Sequence, residues 1–212
     1  MQVEVWSDMV CPWCFLGKRR LEAALADFAG RDDVTVIHRA FQLDPGAATE
    51  GRSTVEVLAA KYGITPGQAV DMMSDVTDTA AGDGLRYRLP DTVSGNTADA
   101  HRVVLWAQDQ GRGGDLLEAL FSGYFEQAQP VFTPADLAPF VAQVGLDPAA
   151  MEAMLATDAY RDHVVEDQRE AAALGAGGVP FFVFDRKVGV SGAQPVAVFA
   201  AALRQADEAA HE

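Results

Sequence analysis

The sequence predicts an α/β protein in which a mixed four-stranded sheet is interrupted by a large, all-helical insertion. Two observations carry this prediction: strand patterns are confined to the two ends of the chain, and the stretch from about 45 to 175 is almost purely helical. The chain order is therefore βαβ, helical block, ββα, and the two ends together supply four strands. We expect a sheet domain of residues 1–44 and 176–212 and an inserted helical domain of residues 45–175.

The first end of the chain is a strand–helix–strand unit. Residues 2–7 alternate polar and apolar side chains, as a half-buried strand does, and residues 12–28 have the apolar spacing of a helix. Pro12 falls at the first helical position, where its missing N–H costs nothing. Residues 34–41 are rich in β-branched side chains and predict a second strand, parallel to the first.

Helix start and stop signals divide the middle of the chain. Ser53 with Glu56 has the pattern of a capping box, and Gly63 ends the helix that follows. Asn96 is expected to cap a helix that runs to about residue 110. Further helices are predicted to begin at Thr65-Pro66, Thr133-Pro134 and Asp147-Pro148, and over 115–126 and 158–174.

Strand character returns near the end of the chain. Residues 180–184 form an apolar run that predicts a buried strand, and residues 188–192 predict its hairpin partner. The polar turn 185–187 separates them. Residues 195–206 predict a terminal amphipathic helix, which completes the ββα unit.

The charge of the chain excludes several classes of partner. A formal net charge of −15 and a pI near 4.5 argue against nucleic acid, whose phosphates need a basic face, and against anionic membranes. No run reaches the ~18 apolar residues of a membrane span, and no secretory signal precedes the first strand. We expect a cytoplasmic protein without nucleic-acid or membrane partners; monomer and homodimer both remain open.

The sequence contains only two cysteines, Cys11 and Cys14, and they lie at the turn between the first strand and the first helix. The first sulfur of such a pair lies at a helix N-terminus, where the dipole and free N–H groups stabilise a thiolate. A Cys-x-x-Cys beside a βαβ pattern is typical of redox sites. We therefore interpret Cys11 as the nucleophile and Cys14 as the resolving thiol, with Pro12 and Trp13 between them.

The cysteine pair has two other interpretations. A zinc site needs further ligands, and only four histidines could supply them, with no two close together in sequence: His38, His101, His163 and His211. A pair of inert structural thiols is the second alternative. Because a reducing cytosol favours catalytic over structural cysteine pairs, redox chemistry is the preferred interpretation, with no metal and no resident cofactor.

Several other residues are candidates for the same site. Trp13 is expected to be exposed at the turn and to meet substrate, and His101 is a second candidate for substrate contact. Val179-Pro180 follows a glycine-rich stretch and precedes a buried strand; if this peptide bond is cis, the backbone of Val179 stays free to pair with an extended substrate near Cys11. From local sequence alone, a trans proline at a strand start is the default. Asp8 is open to three interpretations: a proton acceptor for Cys14, a brake on Cys11 ionisation, or an exposed turn residue.

Four sequence runs resemble the DsbA-like branch of the thioredoxin superfamily, and within it the FrnE-type group. They occur in the family's order along the chain: SDMVCPWCFLGK at 7–18, NTADAHR at 96–102, GVPFFVF at 178–184 and SGAQP at 191–195. The resemblance spans essentially the whole chain. It implies a thioredoxin fold with an inserted helical domain, active cysteines at Cys11 and Cys14, and a cis-proline at Pro180.

The resemblance implies a thiol–disulfide oxidoreductase that exchanges disulfides with protein or small-molecule thiols through the Cys-Pro-Trp-Cys site. Relatives in the same superfamily resemble kappa-type glutathione transferase and 2-hydroxychromene-2-carboxylate isomerase, which activate glutathione at a serine-type site. A glutathione-dependent isomerase or transferase is therefore the alternative function. The cysteine pair favours redox chemistry and is compatible with glutathione as a reductant or co-substrate.

Overall fold

A computed structural model of the chain describes residues 1–209. Its order of elements is βαβ, then a mainly helical stretch, then ββα, as the sequence predicts. The strands are Gln2–Ser7 (β1), Thr35–Ala40 (β2), Arg52–Ser53 (β3), Val93–Ser94 (β4), Phe181–Phe184 (β5) and Val188–Ser191 (β6). The helices are Pro12–Ala26 (α1), Thr54–Tyr62 (α2), Pro66–Ala81 (α3), Ala98–Gln108 (α4), Gly113–Gln127 (α5), Pro134–Gln143 (α6), Pro148–Leu155 (α7), Arg161–Ala173 (α8) and Val196–Glu208 (α9).

The sheet has the strand order β2-β1-β5-β6. β1 pairs with β2 in parallel, with Trp6 opposite Arg39, and with β5 antiparallel, with Trp6 opposite Phe181. β5 and β6 form an antiparallel hairpin. This mixed sheet has the thioredoxin topology that the sequence resemblance implies. The prediction of a four-stranded mixed sheet is confirmed.

The two faces of the sheet are covered differently. Because side chains alternate along a strand, neighbouring residues of β1 and β5 face opposite sides. On one side an apolar core forms between the sheet, α1 and α9, and Phe182 and Phe199 meet there edge to face with ring centroids 4.8 Å apart. On the other side Trp6, Phe181 and Val183 pack with Ala171 of α8.

The chain divides into two compact units. One contains residues up to Leu43 and the chain from Asp162 onward, and the other is Asp44–Arg161. The return boundary lies at Asp162, whereas the sequence predicted residue 176, so α8 belongs with the sheet. The reason is that Asp167 of α8 bonds both to Trp6 of β1 and to Ala40 of β2.

The inserted unit is helical apart from one short pair of strands. Arg52–Ser53 and Val93–Ser94 form an antiparallel ladder of two residue pairs, which the sequence did not predict. Thr65 and Thr133 form capping boxes at the starts of α3 and α6. Ser53 makes no side-chain cap bond, although the sequence suggested one. Among the helices of residues 1–209, none has the length and apolar composition of a membrane span.

Candidate active site

Cys11 lies at the junction of β1 and α1, immediately before the first helical residue. It is the N-cap of α1, with extended backbone angles (φ −92°, ψ 108°), and Pro12 follows at the first position of the helix. Its amide donates to the carbonyl of Asp8 at 3.0 Å, which closes the turn after the strand. The first amides of a helix have no partner within it, so the N-terminus of α1 carries a partial positive charge. Cys11 lies at this end of the helix.

Cys14 lies inside the first turn of the same helix. Both cysteines are free thiols, and a hydrogen bond joins their sulfur groups. Burial raises the pKa of the Cys14 thiol well above its ordinary value, and the bond with Cys11 acts in the same direction. The main-chain N–H of Asp8, which donates to the Cys14 sulfur, opposes that rise.

The segment before β5 meets the first cysteine. The Cys11 thiol donates to the carbonyl oxygen of Val179 at 3.5 Å, across 168 positions of sequence. The Val179–Pro180 peptide bond is cis, and the carbonyl of Pro180 accepts the N–H of Gly192 at 2.8 Å. The structure thus brings Cys11, Cys14, Val179 and Pro180 together.

Gly17 allows α1 to approach this segment. A Cβ atom at Gly17 would lie 3.0 Å from Pro180 Cγ and 3.0 Å from Phe182 Cζ, which is closer than packed carbon atoms normally come. The sequence analysis assigned Gly17 no role. A glycine inside an otherwise helical pattern is the signal that could have found it, because such a residue usually has a packing reason.

The residues around Cys11 differ in their exposure to solvent. Trp13 is 39% exposed, as expected for the residue between the cysteines, and Pro12 and Val179 are half-buried. Cys11 itself is buried. The exposed indole of Trp13 and the half-buried residues Pro12 and Val179 therefore contribute accessible surface around the buried sulfur.

Asp8 is buried, and the interpretation as an exposed turn residue is wrong. It is 1% exposed, and its carboxylate accepts the main-chain N–H of Leu43 at 2.8 Å. Its own amide reaches the Cys14 sulfur, and its carbonyl holds the Cys11 amide. Asp8 therefore contacts both cysteines through its backbone and places a carboxylate in the same buried region.

A cluster of charged residues lies on the α8 side of the sheet. Glu4 is buried in the middle of β1, where Arg39 donates to its carboxylate at 2.6 Å and Arg186 at 2.5 Å. Burial opposes the ionisation of Glu4, but the hydrogen bonds from Arg186 and Arg39 hold its pKa below the ordinary value. Asp167 accepts from Arg39 at 3.1 Å, which joins α8 to the sheet.

The remaining candidate residues lie elsewhere. His101 is buried in α4 of the inserted unit, and its proposed contact with substrate stays a prediction. His38 is buried in β2, and His163 of α8 lines a pocket of about 520 Å³ with Arg39 and Arg169. His211 lies outside the described residues. Within residues 1–209, no three His, Cys, Asp or Glu side chains form a group suited to a metal ion.

Comparison with known proteins gives one family match over almost the whole chain. The model of the DSBA-like thioredoxin domain matches residues 2–204. A curated relative, the uncharacterized protein YwbO of Bacillus subtilis, is 25% identical over 207 residues, which is 96% of each protein.

Solved structures give the same fold. A probable DsbA oxidoreductase of Streptomyces coelicolor is 47% identical, with a TM-score of 0.92 over 98% of this chain and 90% of its own. The cytosolic disulfide reductase DsbM of Pseudomonas aeruginosa is 19% identical, with a TM-score of 0.67 over 99% of this chain and 100% of its own. A 2-hydroxychromene-2-carboxylate isomerase is 16% identical, with a TM-score of 0.72 over 100% of this chain and 98% of its own.

Proposed function

The chain belongs to the DSBA-like thioredoxin domain family, and we propose that it is a thiol–disulfide oxidoreductase that works through Cys11 and Cys14. One observation carries the proposal. Two free thiols are hydrogen-bonded to each other at the start of a helix, and the first of them also meets the Val179 carbonyl beside Pro180. This arrangement supplies a nucleophile, a second thiol within reach of it, and a backbone segment for a substrate.

The first step is attack by Cys11 on a substrate disulfide. Cys11 is the attacking thiol, because it lies at the N-terminus of α1, immediately before the first helical residue, and meets the Val179 carbonyl. The Cys11 sulfur then bonds to one substrate sulfur, and the other leaves as a thiolate. We propose that Pro12, Trp13 and Val179 contact the substrate, because they are the accessible residues around Cys11.

The second step releases the substrate. Cys14 attacks Cys11, the Cys11–Cys14 disulfide forms, and the bond to the substrate sulfur breaks. The reaction reverses when the oxidised protein meets a dithiol. It needs no metal and no resident cofactor, because both electrons are held by the two sulfur atoms.

The assignment is tested by comparing two serine variants in insulin reduction. We expect Cys11→Ser to abolish turnover because the nucleophile is lost. Cys14→Ser is the matched control: it should keep the first attack and lose turnover at the release step. Full insulin reduction by Cys11→Ser would contradict the proposal.

Glutathione is proposed as a reductant of the Cys11–Cys14 disulfide. A structure of the cytosolic disulfide reductase DsbM with GSH has the same fold as this chain, at 19% identity and a TM-score of 0.65. The alternative, a glutathione-dependent isomerase or transferase, has the fold of the isomerase structure in its favour. The two are separated by Cys14→Ser: loss of glutathione-driven turnover supports the reductase, and isomerase turnover independent of Cys14 supports the alternative.

We further propose a subgroup, a class of partner and a cellular location for the protein. The four sequence runs support the FrnE-type subgroup, and the similarity to the cytosolic disulfide reductase DsbM supports protein or small-molecule thiols as partners in the cytoplasm. Substrate contact by His101 belongs to the same proposal. It is tested by His101→Gln, which should raise KM for a peptide disulfide without changing the reaction of Cys11 with a small reagent.

A further inference from the structure

The glycine-rich segment between α8 and β5 has few contacts of its own. A Cβ atom at Gly177 or Gly178 would meet no other atom within 4 Å among the described residues, and glycine leaves the backbone freer than any other residue does. Val179, whose carbonyl meets Cys11, follows these glycines directly. The position of Val179 beside the cysteine must therefore be fixed by contacts outside the glycine segment.

Trp6 of β1 belongs to the cluster that provides these contacts. Its side chain is fully buried in the apolar cluster on the α8 side of the sheet, and Val179 packs against the same cluster. Trp6 lies opposite Phe181 in the β1–β5 ladder, and their ring centroids are 5.9 Å apart. Because Phe181 follows Pro180 directly, this residue pair ends the ladder at the edge of the candidate site.

The indole N–H of Trp6 also joins β1 to α8. It donates to the main-chain carbonyl of Asp167 at 2.8 Å, in a buried position. One turn later in α8, Ala171 packs in the same cluster, and the chain then leaves the helix toward Gly177. A hydrogen bond is directional, whereas apolar packing is not, so this bond fixes the position of α8 more narrowly than packing alone.

We propose that Trp6 is a positioning residue for the substrate side of the site. Its indole N–H holds α8, from which the glycine segment starts, and its ring supports the cluster against which Val179 packs. Trp6 thereby keeps the backbone of Val179 beside Cys11, in the arrangement that an extended substrate meets. This inference rests on the proposed function, and Trp6 acts on the substrate only through Val179.

Trp6→Phe removes the indole N–H and keeps an aromatic ring in the cluster. Without the bond to α8, we expect Val179 to occupy the binding arrangement about a tenth of the time, which corresponds to the loss of one hydrogen bond of ordinary strength. The half-saturation concentration for an extended peptide disulfide should then rise about tenfold, while the plateau rate of attack by Cys11 stays the same. Attack on Ellman's reagent should not change, because that small reagent has no peptide backbone to pair with Val179.

The attack is measured in the Cys14→Ser background, where the mixed disulfide on Cys11 is the end product. Stopped-flow fluorescence with a peptide joined by a disulfide to a quenched fluorescent thiol gives the plateau rate and the half-saturation concentration. Trp106→Phe, the same exchange in α4 of the inserted unit, is one control. Val183→Ala is the other, because it removes packing from the cluster but no bond to α8. Neither control should raise the half-saturation concentration.

A stiffer glycine segment gives a second test, which also decides the question if Trp6→Phe does not fold. Gly177 has no positive φ and has open space around it, so an alanine fits there and restricts the backbone. Added to Trp6→Phe, Gly177→Ala should recover part of the lost affinity for the peptide. In the native chain it should leave the half-saturation concentration unchanged, because Val179 is already held. A severalfold fall there would show that Val179 is loose and would overturn the proposal.

Two further outcomes contradict the positioning role. If Trp6→Phe loses stability but keeps the native half-saturation concentration, Trp6 only packs in the core. If Val183→Ala raises the half-saturation concentration as much as Trp6→Phe does, general loosening of the cluster is the cause. The proposed function fails on a different observation: Cys11→Ser that reacts with Ellman's reagent as fast as the native protein. The failure of the inference and the failure of the function are thus read from different substrates and variants.

Discussion

The two faces of the central sheet are built on different physical principles. Toward α1 and α9 the sheet presents apolar side chains, such as Phe182 packed on Phe199. Toward α8 it presents the buried carboxylate of Glu4, which is neutralised by Arg39 and Arg186. The apolar face fixes the helix that carries Cys11, and the charged face fixes the helix that leads toward Pro180. Apolar packing therefore acts on both faces of the sheet, and directional ion pairs are added to it on the α8 face.

The largest effect is expected on the apolar face. Phe182→Ala should lower the free energy of unfolding by about 4 kcal/mol, because a fully buried ring is replaced by a cavity. Phe181→Ala, one residue earlier and on the α8 face, is the matched control and should cost about 3 kcal/mol, since Phe181 retains slight exposure. Urea unfolding measures both. A larger loss for Phe181→Ala would reverse the ranking of the two faces.

The contribution of the charged face to the free energy of unfolding should depend on pH. Glu4→Gln is expected to cost about 2 kcal/mol near neutral pH, because Arg39 and Arg186 lose their common partner. The folded pKa of Glu4 lies below its reference of 4.5, so its contribution is present above that value and is lost as the pH falls through the folded pKa.

Unfolding free energies of native protein and Glu4→Gln, measured over a range of acid pH, should therefore converge as the pH falls. Phe182→Ala is the control, because its deficit should stay constant with pH. A deficit in Glu4→Gln that is equally independent of pH would show that the ion pairs contribute nothing.

A smaller effect is expected where α1 approaches the Pro180 segment. Gly17→Ala places a methyl group 3.0 Å from Pro180 Cγ, and overpacking should outweigh the gain in helix propensity by about 1 kcal/mol. Gly67→Ala in α3 is the control, because its nearest neighbour is at 3.9 Å; it should gain about 0.5 kcal/mol. Thermal unfolding should show a lower melting temperature for Gly17→Ala and a higher one for Gly67→Ala. Equal stabilisation by both variants would mean that the approach at Gly17 carries no packing constraint.

The smallest effect is expected at Asp167. Burial raises the pKa of Asp167, although the Ala40 amide and Arg39 act in the opposite direction. The ionised form of Asp167 is therefore less stable in the folded chain than in the unfolded one. Ionisation therefore costs stability as the pH rises through the folded pKa, and Asp167→Asn relieves that cost. Loss of the bond to Arg39 offsets the relief, and the net change should stay below about 1 kcal/mol. Equilibrium unfolding near neutral pH tests this, and a loss as large as that of Glu4→Gln would show that the two acids act alike.

The apolar face was predictable from the sequence, and much of the charged face was not. The alternation of residues 2–7 and the apolar run 180–184 gave the strands, because local patterns record burial. Glu4 occupies a polar position of that alternation and is nevertheless buried, since its partners come from residues 39 and 186. Partners so distant in sequence leave no local pattern.

In the candidate site, too, some features are predictable from local sequence and others depend on residues distant in the chain. The spacing of Cys11 and Cys14 predicts a redox pair. The local sequence of Asp8 is also compatible with an exposed turn residue, and it does not show that the main-chain N–H of Leu43, 35 positions later, donates to its buried carboxylate. The return of the chain at Asp162 was placed too late, because helical periodicity does not tell which unit a helix packs against. The packing role of Gly17 likewise could not be predicted from its local sequence, because it depends on the approach of Pro180.

Trapping of the mixed disulfide tests directly whether Cys11 is the nucleophile and Cys14 the resolving thiol. Reduced Cys14→Ser and Cys11→Ser are each mixed with a peptide disulfide, quenched with acid, and weighed by intact-mass spectrometry. Cys14→Ser should accumulate an adduct of one peptide on Cys11, and Cys11→Ser should accumulate almost none, because burial raises the pKa of the Cys14 thiol well above its ordinary value. Equal adducts on both variants, or an adduct only on Cys14, would contradict it.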